Sequence, residues 1–162
     1  MVARTVQQYT QSGVAHFPIE DKVQTKKRDS CWIRAAVRAR QRIESDIIII
    51  SRTNALQPYG YAEAIARFKA AREVSADVAF LEGVTTKEQA RRVVEDLVPM
   101  LCLLNVVESG TPPSMTADKI KALGAKIMIV TNAALAPAYA SIKAVVEGLN
   151  TTGVLSSGVE DH

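Results

Sequence analysis

Cysteine and histidine are scarce in this chain of 162 residues: Cys31 and Cys102, His16 and His162. Two cysteines build no disulfide framework, and these four residues show no metal-ligand spacing. Cys102 sits in the apolar run "MLCLLNV" and reads as buried packing, whereas Cys31 follows a charged loop and reads as exposed. A reducing, cytoplasmic compartment is the expected setting. The start, "MVARTVQQYTQSG", lacks the apolar core of a secretory signal. Arg4 without early acids gives a mitochondrial presequence only faint support, and Val2, Val6 and Tyr9 instead keep helical spacing up to Gly13. "DIIIIS" is far too short to span a bilayer. Neither GxGxxG nor GxxxxGK[ST] occurs, so dinucleotide and P-loop readings lose their best support. No fixed-period repeat is present. A net charge of +3 is too mild to argue for nucleic acid, and after residue 60 the bases are interleaved with acids.

What the chain has is alternation. Five short apolar runs, Val14–Ile19, Asp46–Ser51, Asp77–Leu81, Met100–Leu104 and Lys126–Val130, have strand length, and most are rich in Val, Ile and Leu. Their continuous apolar character suits strands covered on both faces, as in a parallel sheet. Helical patterns separate them: Cys31–Glu44, Tyr61–Val74, Thr86–Leu97, Thr116–Leu123 and Ala133–Leu149. Thr86 with Gln89 three residues on makes a capping-box pattern, Gly124 stops the fourth helix, and Pro137 falls in the tolerant first turns of the last. Strand and helix alternating five times predict an α/β fold with a parallel sheet. One domain over residues 1–150 and a flexible tail over 151–162 are expected.

Parallel α/β proteins place their chemistry beyond the carboxyl ends of the strands. Here those ends carry Glu20-Asp21-Lys22, then Ser51-Arg52-Thr53-Asn54, Glu82-Gly83, Asn105 with Glu108 soon after, and Thr131-Asn132. The amino ends carry Asp46, Asp77 and Lys126, read as edge charges. Arg52 offers a planar fork for a carboxylate or phosphate. Glu20 could hold a hard cation directly or through water, Glu82 could orient a hydroxyl or move a proton, and Asn105 could donate to an oxyanion. Such a set suits an organic acid whose charge shifts during reaction. Arg52 paired with Glu82 or Glu20 as a structural ion pair is the plainer alternative.

The segments "GVAHFPIEDKVQTKK", "SDIIIISRTNA", "ADVAFLEGVTTKEQ", "LLNVVESGTPP" and "GAKIMIV" occur in this order. They resemble successive strand ends of the isocitrate lyase / phosphoenolpyruvate mutase superfamily, in the branch of the 2-methylisocitrate and dimethylmalate lyases, the oxaloacetate hydrolases and the carboxyphosphonoenolpyruvate mutase-like proteins. The resemblance implies a (β/α)8 TIM-type barrel, Mg²⁺, and the making or breaking of a C–C or P–C bond in a 2-oxo or 2-hydroxy acid beside an enolate. It implies that Glu20 stands near the metal, acting through water, and that Arg52, Glu82 and Asn105 bind substrate, with Asp21 in the same motif as Glu20.

The departures from that pattern are specific. Such a barrel needs eight strands and about 250 residues, whereas five strands are read here. The chain is therefore expected to be a partial barrel lacking the first three strand units. With them go the Ser-Gly substrate loop and the Asp-x-Asp metal pair, which leaves Mg²⁺ few carboxylates. The Cys-Gly-His loop that carries the family's catalytic cysteine is replaced by "KKRDSCWIRAAV", and Ala136 stands where many of the lyases have a second arginine. No catalytic residue is assigned. The expected function is that of a truncated superfamily member taking a dicarboxylic or 2-oxo acid. The alternative is a catalytically silent remnant that pairs with itself or a fuller homologue through its open sheet edges. A small flavodoxin-like domain needs only the five-stranded pattern and leaves the motif order unexplained.

Overall fold

The computed structural model describes residues 1–20, 31–107 and 116–154. Asp21, Lys22, the "RDS" stretch before Cys31, Glu108 and the tail after Val154 lie outside the described residues. The chain divides into two compact units, Met1–Ile129 and Val130–His162.

The elements follow the expected alternation. They are α1 (Val2–Gln11), β1 (His16–Glu20), α2 (Cys31–Arg42), β2 (Ile48–Thr53), α3 (Leu56–Tyr59), α4 (Tyr61–Glu73), β3 (Val78–Leu81), α5 (Lys87–Leu97), β4 (Leu101–Val107), α6 (Ala117–Ala122), β5 (Ile127–Thr131) and α7 (Leu135–Thr152). The five strands form one sheet in the order β1-β2-β3-β4-β5. The β1–β2, β2–β3 and β3–β4 pairs are parallel, with Glu20 opposite Arg52, Arg52 opposite Phe80, and Phe80 opposite Leu103.

That order decides the architecture. Every strand lies beside the next in sequence, so right-handed crossovers all lead the same way and put the helices on one face. A flavodoxin-like sheet reverses direction partway and is excluded. The five strands are successive units of a (β/α)8 TIM-type barrel, as read from the sequence. Side chains alternate accordingly. Phe17, Ile49, Ala79, Leu81, Cys102 and Leu104 pack with Ile33, Val37, Phe68, Val93 and Leu97 of the helices in the main core. Ile50, Val78, Phe80 and Leu103, with Ile127 against them, form a smaller cluster on the opposite face. Near the amino ends of that face Ile48 and Leu101 remain 38% and 44% exposed.

The helices form for local reasons. In α5 the buried Ala90, Val93, Val94 and Leu97 repeat at helical spacing, and the Thr86 side chain caps the start by accepting from the Gln89 N–H. The reciprocal half of the capping box is displaced by one residue, because Gln89 Oε1 accepts from the Thr85 N–H, not from that of Thr86. Thr116 caps α6 in the same way. The amino-end carboxylate Asp77 is more than an edge charge. Its Oδ2 accepts from Arg40 Nη1 and from the Ile49 N–H (2.8 Å), while Arg40 also reaches the Ile47 and Ser75 carbonyls. This clamp ties α2, β2 and the start of β3 together.

In the second unit α7 runs to Thr152, three residues past the expected end at Leu149. Gly153 closes it in the left-handed region, its N–H returning to the Leu149 carbonyl. Asn150, Thr151 and Thr152 have low helix propensity, yet the Thr151 and Thr152 hydroxyls donate to the carbonyls four residues back. No residue of α7 is buried.

Candidate functional site

The inward-facing residues of β1 and β2 end in Glu20 and Arg52, which the strand register sets opposite each other. Arg52 Nη2 lies 3.1 Å from Glu82 Oε2, and Arg52 Nη1 lies 3.9 Å from Glu20 Oε2. The guanidinium also sits over the Phe80 ring, 5.2 Å from its centroid. Phe80 is two residues before Glu82 on the same strand face, so one strand supplies both the flat support and a carboxylate partner. The Arg52 Nε–H is buried and has no acceptor among the described residues. An orphaned guanidinium donor of this kind is satisfied by an added oxygen.

Glu82 is held by its backbone. Its N–H donates to the Thr53 carbonyl (3.0 Å), which fixes the end of β3 against the end of β2. Gly83 then turns at φ +81°, and a Cβ there would stand 3.2 Å from Gln57 Nε2 on α3. The turn therefore needs glycine for its dihedral, while the flexible end of Gln57 could give way to a Cβ. Thr53 is buried, and its Oγ1 accepts from the Ala55 N–H, leading β2 into α3.

Asn105 stands at the same end of β4, half-buried, two residues after Leu103 and on the same strand face. The structure thus brings Glu20, Arg52 and Glu82 into one cluster and places Asn105 at the same sheet end. Sequence reasoning missed Phe80, the aromatic floor under Arg52. Its spacing of two before Glu82 was the available signal. It also missed α3, whose Gln57 backs the Gly83 turn.

The cluster carries one positive and two negative side chains, a net negative charge. Among the described residues no group of three or more His, Cys, Asp or Glu could hold a metal ion. Glu20 is a single carboxylate already facing Arg52. The described residues therefore do not make a Mg²⁺ site by themselves. Of the cysteines, Cys31 is exposed at the start of α2, and Cys102 is buried in the helix-side core, where burial pushes its thiol up to about 11.

Sequential parallel strands with acid and guanidinium side chains at their carboxyl ends place the protein in the TIM-type barrel class. Residues 1–150 match the phosphoenolpyruvate phosphomutase family, and the chain belongs to it. It is 32% identical over 157 residues to 2,3-dimethylmalate lyase of Eubacterium barkeri, a match covering 90% of this chain and 53% of that protein. With 2-methylisocitrate lyase of Halalkalibacterium halodurans it shares 28% identity, over 99% of this chain and 56% of the relative. A crystal structure of 2,3-dimethylmalate lyase superposes with a TM-score of 0.90 at 49% identity, over 99% of this chain and 59% of the other. Oxaloacetate acetylhydrolase follows at 0.88 and 46%, over 96% and 56%. The chain spans about half the length of the curated relatives it matches.

Proposed function

We propose that Arg52 receives a carboxylate of a 2-oxo or 2-hydroxy acid, with Glu82 and Asn105 completing the substrate contacts and Glu20 on the side from which a divalent cation would approach. The orphaned Nε–H of Arg52 carries this reading. It marks a guanidinium supported by Phe80 and left with a donor to satisfy. The class of reaction proposed is that of the lyases it resembles, cleavage or formation of a C–C or P–C bond through an enolate.

Charge sets a condition on that chemistry. Two carboxylates already face Arg52, so an anionic substrate meets net repulsion unless it displaces one of them or arrives with a cation. Mg²⁺ is the proposed companion, its remaining ligands coming from substrate, water or residues outside those described. The test is turnover of a panel of oxaloacetate, 2-methylisocitrate, 2,3-dimethylmalate and phosphonopyruvate, with and without Mg²⁺. Turnover that requires Mg²⁺ and vanishes in Arg52→Ala supports the reading. Mg²⁺-independent turnover that survives Arg52→Ala overturns it.

The second reading is a catalytically silent chain that works by association with another copy or a fuller homologue. A specific observation favours it. On α7, Leu135, Tyr139, Ile142, Val146 and Leu149 are each between 42% and 67% exposed, at alternating spacings of four and three. A chain that stays monomeric at high concentration, measured by light scattering, counts against this reading. A reducing, cytoplasmic setting is proposed on the two free cysteines; among the described residues no helix is long and apolar enough to cross a membrane.

A further inference from the structure

Several cations on the helical surface follow one rule. These four have an acid one turn away: Arg67 with Glu63, Arg91 with Glu88 and Glu95, Arg92 with Asp96, Lys143 with Glu147. The packed pair α1 and α2 breaks it. Neither helix contains an acidic residue, yet together they carry Arg4, Arg34, Arg38, Arg40 and Arg42. Arg40 is taken up by the Asp77 clamp. Arg4, Arg38 and Arg42 have no ion pair or hydrogen bond among the described residues, and all three are exposed.

These three arginines converge. They line one groove of about 460 Å³ between the two helices, with Gln7 among them and with Ala35 and Ala39 against it. The volume is that of a small-ligand site. Small residues keep the groove open, and the polar groups around it are all able to donate hydrogen bonds. Arg38 and Arg42 are four residues apart, so like charges face each other along α2, an arrangement that opposes the helix unless something neutralises it. The helix dipole favours Arg42 in the last turn. It accounts neither for Arg38, a turn earlier, nor for Arg4 on the neighbouring helix.

We propose that this groove binds a compact polyanion, a small molecule bearing two or more phosphate or carboxylate groups, at a site separate from the Arg52 cluster. Guanidinium forks pair with either kind of anion in a bidentate manner. The groove lies among the outer helices, whereas the Arg52 cluster sits at the carboxyl ends of the strands. Occupancy would neutralise the Arg38–Arg42 repulsion and link α1 to α2.

The experiment is calorimetric titration of the full chain carrying Arg52→Ala, which removes anion binding at the strand ends. Inorganic tripolyphosphate and citrate are the two probes, with chloride as the ionic-strength control. Expected is saturable binding of one equivalent of at least one probe, weakened at least tenfold by Arg38→Gln with Arg42→Gln. Arg91→Gln, on a surface where the arginine is already paired, should change affinity less than twofold. Binding by tripolyphosphate alone identifies a phosphate ligand, and binding by citrate alone a polycarboxylate. Absence of saturable binding by either probe overturns the proposal. So does equal weakening by Arg91→Gln and by the groove variants, which would reveal a general charge effect. Circular dichroism of each variant checks that α1 and α2 remain folded.

Discussion

Arg52 and Glu82 face each other at 3.1 Å across neighbouring strand ends, and the backbone enforces the meeting through the Glu82 N–H bonded to the Thr53 carbonyl. Both side chains are about one-third exposed (34% each), so the pair is screened and contributes little to stability. Its consequence is for binding. Glu82 competes with any anion for the same guanidinium. Glu82→Gln is expected to strengthen binding of a simple dicarboxylate such as oxalate by about tenfold, the order of one charge-assisted contact released. Arg52→Ala is expected to abolish it. Calorimetry on the two variants checks both, and unchanged oxalate affinity in Glu82→Gln would show that the ligand does not compete with that carboxylate.

The sheet and the cluster were legible because they depend on local signals. Each strand announced itself by a short apolar run, and each ended in a polar residue whose side of the strand follows from parity alone. Glu20, Arg52 and Glu82 met as their strand-end positions implied. What escaped depended on distant or weakly patterned residues. Arg40 and Asp77 are 37 positions apart, and nothing in either segment marks the other as its partner. The short α3 contains Pro58 and is too brief for a period to show. The stretch from Asp21 to Ser30, where the sequence departs most from the lyases it resembles, lies outside the described residues.

The Arg40–Asp77 clamp should matter for stability where the site pair does not. Asp77 Oδ2 accepts from both Arg40 and the Ile49 N–H, and Arg40 is only 15% exposed. Asp77→Ala leaves a largely buried guanidinium and a strand N–H without their shared acceptor. A loss of about 2 kcal/mol is expected, below the roughly 3–5 kcal/mol of breaking a fully buried pair because Asp77 itself is 35% exposed. Urea denaturation should show a lower midpoint with an unchanged slope. A shift under about 0.5 kcal/mol, the scale of an ordinary surface substitution, would mean that water replaces the carboxylate.

Cys102 gives the protein an alkaline limit. Burial raises its thiol to about 11 from an ordinary 9.0, so between these values the unfolded chain loses a proton that the folded chain keeps. The sign follows. The contribution is fully present below pH 9 and is lost as pH rises through about 11, with a slope up to about 1.4 kcal/mol per pH unit. Cys102→Ala should lessen the fall over that window, the upper part of which Tyr61, held above its ordinary range by burial and Asp96, still retains. In the native protein at pH 8 an aromatic disulfide reagent should label the exposed Cys31 and reach Cys102 only after denaturation. Fast labelling of both would show that the helix-side core opens readily.

Gly83 tests how the Glu82 carboxylate is aimed. Its φ of +81° disfavours any residue with a Cβ, and the new methyl group would also press on Gln57 Nε2 at 3.2 Å. Two costs are therefore superimposed. The dihedral cost, on the order of 1–2 kcal/mol, remains whatever the neighbour. The steric cost is small, because the end of Gln57 can swing away. Gly83→Ala should destabilise by about that dihedral amount, and adding Gln57→Ala should recover only a minor part. The same turn sets the direction in which Glu82 leaves β3, so Gly83→Ala should also alter anion affinity at Arg52. If calorimetry finds that affinity intact while stability falls, the Thr53 carbonyl alone aims Glu82 and the turn serves only the chain path.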